Sequence, residues 1–148
     1  MKTAIVLGLL RQADRILFVK QDYGQYAWML PGGHVRPEES LVEGMGRKFQ
    51  EEVGPVVEVA GLVALRDRAD HQVAVLAVVP VGGEMHHELP EGLADRRWFD
   101  RATLTALQEP SFDFDRQVAL RVLKGGEACL SHTLVDFTDG APGSVFIS

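Results

Sequence analysis

The sequence predicts an α/β fold, a mixed β-sheet with helices packed on its faces. Two apolar runs near the start, Ala4–Leu10 and Ile16–Lys20, are joined by a short polar connection. From Glu39 to Val53 apolar residues recur at four-residue spacing, and Gln72–Val81 is continuously apolar. Strand-like and helical segments that alternate along one chain fit a sheet covered by helices. The length of 148 residues corresponds to one domain, enough for a self-sufficient core.

Taken in order, Ala4–Leu10 and Ile16–Lys20 read as strands, with residues 11–15 (Arg-Gln-Ala-Asp-Arg) as a hairpin connection. Gln21 to Trp28 is polar and turn-like, and Pro31-Gly32-Gly33 and Pro37 add further punctuation. Leu41, Met45, Phe49 and Val53, with Val42 beside them, predict a helix over Glu39–Val53. Gly54-Pro55 stops it, because glycine takes the left-handed position after a helix and proline cannot extend the ladder. Val56–Leu65 and Gln72–Val81 are two more strands, the second placed mid-sheet by its unbroken apolarity. Gly82-Gly83 ends that strand, and Glu84–Asp95 is an acidic, histidine-containing loop before a short strand at Arg96–Phe99. Asp100 caps a short helix through Leu107, and Asp113 or Asp115 opens another over Arg116–Lys124, closed by Gly125-Gly126. Leu134–Phe137 and Val145–Ile147 read either as short strands or as an arm against another subunit.

Fifteen basic against twenty-one acidic residues give a net charge of −6. That balance argues against a DNA-binding surface, while leaving room for a small nucleotide held by a local site. No apolar stretch approaches the roughly 20 residues of a membrane helix, and the N-terminal segment does not read as a signal peptide. The expected location is cytoplasmic. One cysteine, Cys129, excludes an internal disulfide and any CxxC metal pattern, and reads as a buried or neutral thiol.

The chemistry concentrates between Leu30 and Gly54. Glu38, Glu39, Glu43, Glu51 and Glu52 place five carboxylates within fifteen residues, and Glu51 and Glu52 are neighbours on the predicted helix. Adjacent carboxylates repel unless a cation compensates, and closely spaced hard oxygens suit Mg2+ or Mn2+. Without a side chain, Gly33 could bring its carbonyl close to a metal or substrate. On charge pattern alone, a solvated helix face and a metal site both remain open. Gly44 and Gly46 favour close packing of this helix, since each costs about 0.5–1 kcal/mol relative to alanine.

Over its full spacing this segment resembles the Nudix box, G-x5-E-x7-R-E-U-x-E-E-x-G-U with U a bulky aliphatic residue. Gly33, Glu39, Arg47, Glu51, Glu52 and Gly54 match, and Phe49 takes the first U position. Trp28-Met29-Leu30-Pro31-Gly32-Gly33 before the box and Arg97-Trp98-Phe99 after the acidic loop are also family-like. The resemblance runs from about Thr3 to Lys124. It implies a single Nudix-like domain over 1–148, an α/β/α sandwich around a mixed sheet, with 125–148 a C-terminal extension whose packing it does not specify. It also implies Mg2+- or Mn2+-dependent hydrolysis of a phosphoanhydride bond in a nucleoside diphosphate-linked small molecule. Carried over by position, Glu51 and Glu52 are metal ligands, with the Gly33 carbonyl and Glu39 contributing, and Arg47 orients the glutamates.

Pro55 replaces the terminal aliphatic residue, and Lys48 stands where the family pattern has a glutamate. Three outcomes are open for Lys48: pointing outward or pairing with Glu52, contacting a substrate phosphate, or marking a weakened nucleotide-binding or regulatory module. Glu84, Glu88 and Glu91 lie where the family often carries a further ligand or base; Glu91 is the first candidate for the base and Glu88 for an additional ligand. His86 and His87 are either contacts to phosphate or metal or merely exposed. Tyr23, Tyr26 and Trp28 are candidates for stacking on a base, and Arg66 and Arg68 for phosphate contacts. The tail makes a homodimer an expectation to test.

Overall fold

The computed structural model describes residues 2–124, 133–136 and 144–147. Among these residues the elements follow in order: β1 (Thr3–Leu9), β2 (Arg11–Gln12), β3 (Arg15–Gln21), β4 (Trp28–Met29), β5 (Gly32–His34), α1 (Leu41–Glu52), β6 (Val56–Asp67), β7 (His71–Gly82), β8 (Leu93–Phe99), α2 (Arg101–Ala106), α3 (Asp113–Lys124), β9 (Thr133–Asp136) and β10 (Ser144–Ile147). The expected helices and longer strands are present, with ends moved by a few residues. The mixed sheet has six strands in the order β10-β9-β6-β7-β1-β5, with β1 parallel to β7 and β6 parallel to β9. A second, antiparallel sheet is built on β3, which pairs with β8 along one edge and with β2 and β4 along the other.

Period-two alternation distributes the core to two faces. Leu7 and Leu9 of β1, Ile16 and Phe18 of β3, and Val73, Val75 and Ala77 of β7 join Val118, Ala119 and Val122 of α3. The alternate residues Val6, Leu17, Ala74, Leu76 and Val78 instead pack with Met45, Phe49 and Val53 at α1. The central position expected for β7 follows: Val73–Val78 are all buried between β6 and β1.

Helix α1 starts at a capping box. Ser40 accepts from the Glu43 N–H while Glu43 accepts from the Ser40 N–H. Its buried face is Gly44, Met45 and Phe49, whereas Leu41 and Val42, expected in the apolar stripe, are 41% and 56% exposed. The buried stripe therefore starts one turn later than the spacing implied. Gly44 packs on Val35, as a close-packed glycine should, but Gly46 faces open space.

Pro31-Gly32-Gly33 supplies a strand as well as punctuation. Gly32, at φ +153°, runs so close to β1 that a Cβ would collide with the Val6 carbonyl and lie 2.8 Å from Leu7 Cα. At the other edge, β9 and β10 extend the chain's own sheet as the short strands expected there. The predicted stop at Gly125-Gly126, Cys129 and Phe137 lie outside the described residues.

Candidate functional site

The box residues meet where α1 passes over β5. Arg47 organises them. Its Nε donates to Glu39 Oε2 at 2.7 Å, and its Nη2 donates to Glu39 Oε1 at 2.9 Å and to the His34 carbonyl at 3.1 Å. Its Nη1 donates to Glu51 Oε1 at 3.2 Å, one turn along the helix. Glu39 Oε1 also accepts from the Arg36 N–H at 2.9 Å. These bonds, led by that from the guanidinium, hold the Glu39 carboxyl down at about 2 and raise Arg47 beyond its ordinary range.

Glu52 projects differently. Its Oε1 accepts from the Gly32 N–H at 2.6 Å, which ties the last turn of α1 to β5. Burial pushes its pKa upward, against the lowering influence of the Lys48 charge and the Gly32 hydrogen bond. Lys48 points inward. Its side chain crosses Gly33, where an added Cβ would lie 2.8 Å from Lys48 Cε. The ammonium is 3.6 Å from Glu51 Oε2, an ion pair at i+3, where the spacing allowed either Glu51 or Glu52.

Part of this group lines a cleft of about 1200 Å3. Gly33, Arg47, Lys48 and Glu52 are on its wall, together with Glu91 from the acidic loop. Glu51, beside them on the helix, is exposed, and Glu88 is exposed outside the lining. The acidic loop is tethered to the C-terminus of α1. The His86 N–H donates to the Val53 carbonyl at 2.8 Å, and His86 Nε2 lies 2.9 Å from the Gln50 carbonyl. His86 is thus a helix-end contact and not merely an exposed side chain, whereas His87 is exposed as expected. Glycine is needed at Gly54, φ +121°, because a Cβ would run into the Glu84 carbonyl and lie 2.7 Å from the His86 nitrogen.

The cleft's other residues come from β1, β3, β4, β6, β7, β8 and α3 and from the turns around them. Arg66 and Arg68 line it, as does Tyr23. Trp28 does not: it is fully buried in the core, edge-on to Phe99 at 5.2 Å, with Nε1 donating to Glu109. Asp115 is the residue that sequence reasoning missed, having been considered only as a cap. It is 5% exposed, lines the cleft, and its Oδ2 accepts from the Leu30 N–H at 2.9 Å. Burial pushes its carboxyl up to about 7, against that hydrogen bond and the charge of Arg66. The signal was available: Asp115, Val118, Ala119 and Val122 share the i, i+3, i+4, i+7 stripe that α3 buries. Near it the Arg66 guanidinium lies 5.7 Å from the Phe114 ring centre, and the buried Arg66 Nε has no hydrogen-bond partner among the described residues.

The lining carries Arg36, Arg47, Lys48, Arg66 and Arg68 against Glu52, Glu91, Asp113 and Asp115. With Arg47 already paired to Glu39 and Glu51, four cations remain beside four carboxyls, two of them shifted toward their neutral form, so cationic side chains are available in the cleft of a chain of net charge −6. That favours an anionic ligand. Among the described residues, no group of three or more His, Cys, Asp or Glu side chains is placed to hold a metal ion. Glu39 has both oxygens committed to Arg47. Glu51 and Glu52 retain hard oxygens that suit Mg2+ or Mn2+, and magnesium commonly binds through one or two carboxylates plus substrate phosphates. The donors therefore fit an ion shared with a phosphate ligand, and not a preformed cage.

In comparisons with known proteins, residues 1–121 match the family model of the NUDIX domain. An ADP-ribose pyrophosphatase of Methanocaldococcus jannaschii is 26% identical over 117 residues, which span 74% of this chain and 66% of the relative. The chain thus aligns with just under two thirds of that relative's length. Among solved structures, a NUDIX hydrolase from Nitrosomonas europaea superposes with a TM-score of 0.77 at 16% identity, covering 93% of this chain and 79% of that one. An ADP-ribose pyrophosphatase from Streptococcus suis superposes with a TM-score of 0.65 at 20% identity, covering 93% of this chain and all of that one. The structural likenesses establish the fold, the α/β/α sandwich that the sequence implied. The family model spans every element from β1 to α2 and most of α3, including the whole of the glutamate-bearing helix, and on that match the chain belongs to the Nudix family.

Proposed function

We propose that this protein hydrolyses a phosphoanhydride bond in a nucleoside diphosphate-linked small molecule, with Mg2+ or Mn2+ shared between Glu51, Glu52 and the substrate phosphates. The observation that carries this reading is a cleft whose wall holds Gly33, Arg47 and Glu52 of the box together with the cations Lys48, Arg66 and Arg68. The chemistry such an ion supplies when bound is polarisation of phosphate oxygens and a lowered pKa for an attacking water. Arg47 fixes the carboxylates by holding Glu39 and Glu51 on one guanidinium. Glu52 keeps a fixed orientation through the Gly32 N–H. Glu91, exposed on the cleft lining, accepts the proton of the attacking water. The aromatic and arginine side chains at Tyr23, Phe112, Phe114 and Arg66 receive the nucleoside end.

ADP-ribose is the first compound to test, because the Methanocaldococcus jannaschii relative is an ADP-ribose pyrophosphatase. A panel of ADP-ribose, nucleoside triphosphates, dinucleoside polyphosphates and nucleotide sugars, with each metal and with product analysis, tests the reading. Cleavage of at least one compound is expected, together with a fall in kcat of about 100-fold or more in Glu52→Gln at unchanged Tm. Equal turnover in that variant overturns the assignment of Glu52. The inward ammonium of Lys48 favours a second reading, a nucleotide-binding module with weakened chemistry, which predicts ligand binding without product at high protein concentration.

A further inference from the structure

A cation stands inside the carboxylate cluster. Lys48 crosses Gly33, and its side chain is 22% exposed. Its ammonium is 3.6 Å from Glu51, beyond the distance of a tight hydrogen bond, so its donors are not saturated by that contact. Lys48 also lines the cleft, while Arg47, its neighbour in sequence, is committed to Glu39, Glu51 and the His34 carbonyl. Of these two adjacent cations, Arg47 is spent on internal architecture and Lys48 faces the cleft.

We propose that Lys48 is a direct phosphate contact, a built-in cation whose ammonium takes oxygens of a diphosphate group and allows the cleft to bind such ligands without a divalent ion. The proposal rests on the reading of the cleft as a diphosphate site. The binding is electrostatic and hydrogen-bonded: no bond is made or broken, and a divalent ion is left with the hydrolytic step alone. Gly33 is part of the arrangement, because any side chain there would displace Lys48 Cε and lift the ammonium from the wall. Neutralisation of phosphate charge by a lysine point charge has ample chemical precedent.

Isothermal titration with inorganic pyrophosphate in EDTA, repeated in Mg2+, tests this on the full chain. Wild-type protein is expected to bind in EDTA, Lys48→Met to bind at least tenfold more weakly there, and Lys48→Arg to stay within a few-fold of wild type. Methionine keeps the apolar stem over Gly33, and circular dichroism checks that each variant is folded. Equal affinity of wild type and Lys48→Met in EDTA overturns the proposal. If wild type binds pyrophosphate only with Mg2+, the proposal fails and the diphosphate reading of the cleft stands. If neither condition gives binding, both fall.

Discussion

Asp115 shows how a single carboxyl makes stability depend on pH. Its side chain is buried where α3 meets the Leu30 backbone, and its pKa is pushed from an ordinary 3.8 to about 7. The folded protein therefore holds a proton that the unfolded chain has already lost, so stability falls as pH rises from about 4 to about 7 and then levels off. Asparagine keeps an oxygen for the Leu30 N–H and removes the titration. The expected outcome is that Tm of Asp115→Asn exceeds that of wild type by a margin that grows between pH 5 and pH 7.5. A margin independent of pH would show that the buried carboxyl does not titrate in that range. The position was readable as part of a buried stripe, yet a lone aspartate near a helix start reads equally well as a cap. Only the packed structure separates the two.

Among the elements, α1 carries the box and depends on what lies behind it. Phe49 is fully buried, and Gly8 of β1 lies under its ring: a Cβ there would be 2.8 Å from Phe49 Cδ2. Phe49→Ala should cost about 3–5 kcal/mol in chemical denaturation, and Gly8→Ala about 1–3 kcal/mol through overpacking. Losses below about 1 kcal/mol in both would mean that the helix is anchored elsewhere. Met45, Phe49 and Val53 were legible in the sequence because four-residue spacing is a local signal. Leu41 and Val42 satisfied the same pattern yet are exposed, because burial also depends on what packs against each turn. The short strands β2, β4 and β5 were missed for a related reason: two or three residues carry no alternation, and their pairing with β1 and β3 is a long-range fact.

Across the whole molecule, the C-terminal residues join the sheet beside the cleft. β9 pairs with Ala64, Leu65 and Arg66 of β6, and Arg66 is a lining residue. Removing residues 125–148 bares that stretch of β6 backbone. Truncation should lower Tm by several degrees and weaken pyrophosphate binding through Arg66, with calorimetry and titration as the measurements. An unchanged Tm would show that this pairing adds nothing to the fold. The family spacing was visible across twenty-two residues of sequence, whereas the partition of charge was not. An overall acidic composition gives no hint that five of the cations share one cleft.

The short bond from the Gly32 amide to Glu52 has a mechanical consequence. It rivets the end of α1 to a strand that is itself zipped to β1, so this side of the cleft behaves as an anvil. A guest of different size is then met by softer parts of the lining, such as the exposed Tyr23 side chain.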